Sequence, residues 1–248
     1  MNKNCLNCNT HLQGEYCHRC GQKASTHRIT LSKFIKHDLL HGVLHLDKGI
    51  LYTLKSLVFN PGYTIRSFLA GKRVMHYNIF ALFIIVIAIK TLIDYHVSDS
   101  DMFNSLKNKD TDVRINEAVD HYYKFFYLLS IPLLSIFSYL FSKRLHYNYT
   151  EHIVFNCFLL TGGFFYAMIF SLFCFLTGLR DNQPVGILFV ALYIMLGYYQ
   201  ATVGTYTFWG YLWRILAILL TFVVSLIIVL ILIIIFAYGG NFEGSILL

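Results

Sequence analysis

Two Cys-x2-Cys pairs open the chain: Cys5 with Cys8, then Cys17 with Cys20, eight residues apart. Thiolates are metal ligands, and two such knuckles supply the four sulfurs of a closed tetrahedral site. The intervening Asn9–Tyr16 fits a short hairpin that turns near Gly14, and Gly21 follows Cys20 where a knuckle needs an unrestricted backbone. The expected ion is zinc, with iron or a redox dithiol as the alternative. His11 and His18 are expected to stay outside a set already completed by four cysteines. A closed site leaves no position for substrate, so its role is structural. A module of about 25 residues has almost no core, and the metal must supply much of its folding free energy. Its expected use is as a docking surface for a cytosolic protein partner.

Two further groups of residues invite chemistry. His37, His41 and His45 recur every four residues, with Asp47 close by. On a helix they share one face, which is metal-ligand spacing. Against a catalytic metal stand the absence of an HExxH glutamate and Gly42, which weakens the helix midway. The plainer reading is a polar stripe facing headgroups, and the expectation is that no second metal binds there. In residues 60–73, Asn60 can cap a helix and Pro61 suits its first turn. Gly71 can end that helix, with Lys72 and Arg73 at its negative end. Arg66, Lys72 and Arg73 then lie at headgroup depth, where they would contact anionic lipid or serve as topological anchors.

These groups need elements to hold them, and composition names the solvent. Of 248 residues, 56% are apolar and 13% are charged, with a mean hydropathy of +0.56. Soluble domains carry roughly 25% charged residues, so the deficit points to lipid. Five stretches are long enough to cross ~30 Å of hydrocarbon: about 77–96, 122–141, 152–178, 185–207 and 212–238. Lys90 and Asp94, four apart in the first, are expected to pair with each other. Pro132 is a kink site in the second. Cys157 and Cys174 lie in apolar runs and are read as small buried hydrophobes. Residues 29–59 are amphipathic rather than apolar all round, so they should lie in the interface or pack on the bundle.

Charge sets orientation. Residues 1–78 hold eleven Lys/Arg and three Asp/Glu, whereas residues 97–121 hold three and six. Lys143-Arg144 makes the next loop basic again. No apolar leader precedes Cys5, and Tyr206, Trp209, Tyr211 and Trp213 cluster where an aromatic belt belongs. The expectation is a cytoplasmic N-terminus, five crossings and a C-terminus outside. The formal charge of +7 is assigned to topology and anionic lipid, and no nucleic-acid partner is expected.

Gly14-Glu15-Tyr16-Cys17-x-x-Cys20-Gly21-Gln22-Lys23, His45 through Leu54, Pro61-Gly62 and Arg66 through Arg73 resemble a bacterial membrane family of unknown function. Its members carry an N-terminal zinc ribbon before a multi-pass domain. The resemblance covers about residues 5–80. The five-span layout is similar, generically, to Yip-family membrane domains. The resemblance implies architecture and zinc but no activity. The reading is therefore an all-α membrane protein of a bacterial cytoplasmic membrane. It divides into a zinc ribbon (1–25), an amphipathic helical segment (26–76) and a five-span bundle (77–248). The leading function is a non-enzymatic scaffold or adaptor. The alternatives are a small lipid or solute transporter and a membrane-surface metalloenzyme using His41, His45 and Asp47. The transporter alternative predicts polar groups converging inside the bundle, for which Asn156, Thr161, Gln200 and Thr202 are the candidates.

Overall fold

The computed structural model describes residues 4–26, 28–30, 49–97, 129–177 and 183–239, the side chains of 94–97, 183–184, 230 and 232–239 excepted. Within these residues the chain is helical beyond the N-terminal module. The helices are α1 (Gly49–Phe59), α2 (Pro61–Leu69), α3 (Ile79–Val97), α4 (Leu129–Phe141), α5 (Tyr149–Thr177), α6 (Gln183–Thr202) and α7 (Phe208–Gly239). The only pairings of β type among them are isolated bridges, two of them in the module.

The α1–α2 corner follows from Asn60-Pro61. Proline at the first position of α2 costs no hydrogen bond there. The expected side-chain cap by Asn60 does not form. Its carbonyl instead accepts from Thr64 N at 3.0 Å and Thr64 Oγ1 at 2.8 Å, so a threonine one turn later ties the corner. α2 ends as Gly71 predicts. Gly71 has φ +103°, its N–H donates to Phe68 O, and Lys72 N donates to Ser67 O. This doubled bond pattern is a Schellman motif, and the positive φ favours a residue without Cβ.

α1 resolves one open expectation. Leu57 and Thr53 are buried, Leu54 packs on the core, and Leu51 and Phe59 are exposed. Its inner face lies on α2 and α5 rather than only on lipid. Thr53 Oγ1 donates to Gly49 O and accepts from Tyr77 N, joining α1 to the start of α3.

α5 is the hub. It packs along α3 and α6, and from Thr150 to Gly163 every residue is buried. α3 brings Ala81, Leu82, Phe83 and Val86 to the buried core that Phe155–Leu159 of α5 also enters. The contact to α6 is close because Gly162 has no Cβ: one would sit 2.1 Å from Tyr193 Oη. Small residues that let backbones approach are the usual currency of helix packing in lipid. Cys157 and Cys174 are buried, as read from their surroundings.

Tyr149–Thr177, Val185–Thr202 and Phe208–Val229 are long and apolar enough to cross a membrane; Ile79–Ile93 and Leu129–Phe141 are shorter apolar helices. Residues 122–128 of the second expected span lie outside the described residues. On α7, Leu216, Leu220, Val224, Ile227 and Ile231 form an exposed stripe at helical spacing. An exposed apolar surface of that extent is unfavourable in water and fits lipid tails. The aromatic belt needs a correction. Trp209 (75% exposed) and Trp213 (50%) face outward, but Tyr211 is buried and its hydroxyl donates to Met195 O at 2.7 Å. A neighbouring helix supplied the acceptor that its ring position demanded.

Candidate metal centre and its seat on the bundle

The two knuckles repeat one backbone plan. Cys5 N donates to Thr10 O and Asn9 N to Cys5 O; twelve residues later, Cys17 N donates to Gln22 O and Gly21 N to Cys17 O. Asn9 (φ +59°) and Gly21 (φ +74°) occupy equivalent left-handed positions. The bridges Asn4–His11 and Tyr16–Lys23 flank them in the same way. This internal two-fold repetition carries the four thiols to one point. Their sulfurs all lie within 4.8 Å of one another, with Cys5–Cys20 at 3.6 Å and Cys8–Cys17 at 3.5 Å.

A tetrahedral thiolate centre with bonds of ~2.3 Å has edges of ~3.8 Å, so the cluster can hold a metal ion. Cys5 and Cys17 are buried, while Cys8 and Cys20 are partly so. Hydrogen bonding to the Thr10 side chain, then to its backbone, lowers the Cys8 thiol to about 6, toward the thiolate that a metal requires. His11 and His18 are not part of the cluster.

The module does not stand free. The Gln22 side chain spans the end of α2: its Nε2 donates to Gly71 O at 2.9 Å, and its Oε1 accepts from Arg73 N at 3.2 Å. Leu6, between Cys5 and Cys8, lies where a Cβ on Gly71 would fall 2.7 Å from its Cδ1. Gly71 thus serves twice, ending α2 and admitting the ribbon. Gln22 was outside the sequence-based site residues. Its only signal was its place beside Gly21, in the run that carries the family resemblance.

The chain leaving the module is held by α5. Arg28 Nε donates to Glu151 Oε1 at 2.9 Å, and Arg28 Nη2 donates to Glu151 Oε2 and to His146 O. Glu151 also closes a capping box: Asn148 Oδ1 accepts from Glu151 N, and Glu151 Oε2 accepts from Asn148 N, both at 2.9 Å. Asn148 Nδ2 then donates to Ile29 O at 2.9 Å.

The other predicted residues fare differently. Lys72 and Arg73 stand at the end of α2, and Arg73 lies over the Phe68 ring at 5.4 Å. Arg66 is half-buried in α2 and takes no part in the Gln22 bonds to Gly71 and Arg73. His37, His41, His45 and Asp47 lie outside the described residues, as does the Asp94 side chain expected to pair with Lys90. Inside the bundle, Gln200 Oε1 accepts from Gly62 N at 3.3 Å, and Thr161 and Thr202 bond back to their own helices. Asn156 joins a buried cluster that sequence reasoning missed. Its Nδ2 donates to Ser138 Oγ at 2.8 Å and Ser135 Oγ at 3.2 Å, and Ser138 Oγ meets His152 Nδ1 at 2.9 Å. Ser135 and Ser138 share one face of α4, a spacing that could have flagged them.

No curated protein and no solved structure matches this chain. Residues 47–91, which cover α1, α2 and most of α3, match the model of a family described as a protein of unknown function (DUF3667).

Proposed function

We propose that this chain is a membrane scaffold or adaptor, with a zinc ribbon as its cytosolic docking module and a five-span bundle as its anchor. The observation that carries the reading is the seating of the ribbon. Gln22 and Leu6 fix one side of it to the end of α2. Tyr16 (59% exposed), His18 and Arg19 remain on accessible surface. A rigidly held metal module with free surface suits presentation to a partner, and its closed ligand set suits structure rather than turnover. Zinc is the ion best matched to four thiolates in a tetrahedron. Basic residues before α3 and the acidic 97–121 segment support a cytoplasmic N-terminus and an external C-terminus in a bacterial cytoplasmic membrane. Arg66, Lys72 and Arg73 then meet anionic headgroups.

Two measurements test the reading. Elemental analysis should return one zinc per chain. A second metal that disappears in His41→Ala/His45→Ala would move the metalloenzyme reading to first place. A photo-crosslinker at Tyr16 should capture one partner reproducibly in intact membranes, and the same probe at Leu6 should capture only this chain's own 71–73 segment. Adducts that do not differ between the two sites would sink the adaptor reading. The transporter reading stands second because of the Ser135, Ser138, His152 and Asn156 cluster. Those groups bond mainly to one another across α4 and α5, as interhelical polar contacts in membranes commonly do.

A further inference from the structure

Among the described residues, the two knuckles meet each other through their sulfurs. The module's backbone bonds and bridges each stay within residues 4–11 or within residues 15–26. The hydrogen-bond-range approaches from one knuckle to the other are Cys5 Sγ beside Cys20 Sγ and Cys8 Sγ beside Cys17 Sγ. Apart from Cys5 and Cys17, the only buried residue among 4–26 is Gln22.

The seat on α2 needs both knuckles at once. Leu6 belongs to the first and lies at Gly71, where a Cβ would stand 2.7 Å from its Cδ1. Gln22 belongs to the second; its Nε2 donates to Gly71 O at 2.9 Å, and its Oε1 accepts from Arg73 N at 3.2 Å. One glycine at the end of α2 therefore receives a side chain from each half of the module. We infer that metal occupancy of the four thiols latches the ribbon onto the end of α2, and that loss of the ion releases it. The inference rests on the docking reading above and adds its regulation: the loaded ribbon holds Tyr16, His18 and Arg19 in a fixed place, and the empty one does not.

The physical reason is the lack of any other joint. In a module without an apolar core, metal-binding free energy is folding free energy. Each knuckle keeps its own local turn, but nothing apolar fixes one against the other once the sulfurs part. With Leu6 gone from Gly71, water reaches the two Gln22 bonds and competes for their partners. The strap beyond the module is independent of the sulfurs. Arg28 Nε donates to Glu151 Oε1, Arg28 Nη2 donates to His146 O, and Asn148 Nδ2 donates to Ile29 O. A released ribbon thus stays tethered to α5, and the short tether keeps its effective concentration at the seat high. The device is a reversible latch rather than a detachable domain.

Hydrogen exchange of the full-length protein in nanodiscs tests it. The metal is removed with EDTA under a phosphine reductant, which keeps the cysteines from joining the knuckles as disulfides, and zinc chloride is then returned. Metal removal should quicken exchange of the Arg73 amide about 30-fold or more, the contribution of two side-chain bonds, and zinc should restore it. The Asn148 and Glu151 amides, bonded in the capping box of α5, should not change. Cys17→Ser/Cys20→Ser reaches the empty state by a second route and should exchange fast at Arg73 with or without zinc. An Arg73 amide that stays within threefold of its loaded rate after the metal has gone would overturn the latch. It would leave the docking reading standing, which the Tyr16 crosslinker reads on loaded protein. Equal quickening at Asn148 and Glu151 would also overturn it, because the ion would then support the whole fold. A protein that never retains zinc would refute the metal ribbon and the latch together.

Discussion

Replacing Gln22 with alanine removes the clamp between the ribbon and α2 without touching the metal. The Gln22 backbone carbonyl still accepts from Cys17 N, so the second knuckle keeps its shape. Two side-chain bonds disappear, to Gly71 O and from Arg73 N. Each contributes about 1 kcal/mol net. The loss of ~2 kcal/mol corresponds to about a 30-fold shift in the equilibrium between seated and released ribbon. The assay is direct, because the Arg73 amide finds its acceptor on Gln22. Its hydrogen exchange in detergent or nanodiscs should quicken about 30-fold, while amides within α5 should not change. Zinc content should stay at one per chain. Gly71→Ala should release the ribbon by another route: an alanine at φ +103° is strained, and its Cβ would stand 2.7 Å from Leu6 Cδ1. An Arg73 amide that exchanges within threefold of wild type in Gln22→Ala would refute the clamp. Metal loss in that variant would show that the side chain supports the knuckle itself.

Gly62→Ala places a Cβ 2.4 Å from both the Gln200 carbonyl carbon and its Cβ, so thermal unfolding should show a loss of about 1–3 kcal/mol. Gly186→Ala, with open space around it, should be neutral or slightly stabilising. Arg28→Ala leaves a nearly buried Glu151 (side chain 3% exposed) without its cation; because Arg28 itself is 62% exposed, a cost of about 1–2 kcal/mol is expected in the same assay. Arg28→Lys should recover only part of it, since lysine lacks the two-pronged contact. Cys17→Ser/Cys20→Ser should take the zinc ratio from one to near zero, and full occupancy in that variant would remove the ribbon as the metal site.

Much of this molecule is local and therefore readable from the chain. The two Cys-x2-Cys pairs announce a four-thiol cluster that can hold a metal, because a knuckle is a turn of a few residues whose geometry its own backbone bonds set. The left-handed position after Cys20 and the Schellman end at Gly71 follow from glycine's freedom at positive φ. Apolar length alone marks α5, α6 and α7 as long enough for a bilayer. Asn60 shows how a local rule yields: its side chain caps nothing, and the corner is tied by the Thr64 hydroxyl on the Asn60 backbone carbonyl.

What the tertiary structure decided concerns pairs of residues distant in sequence. Gln22 meets Gly71 across 49 residues and Arg28 meets Glu151 across 123, and no periodicity encodes which polar group will face which. Tyr211 looks like a belt residue in sequence and becomes buried because α6 offers Met195 O. Ser135, Ser138, His152 and Asn156 form a cluster only once α4 lies on α5. In each case, burial leaves a polar group needing a partner, and only the packing of another element determines which partner it finds.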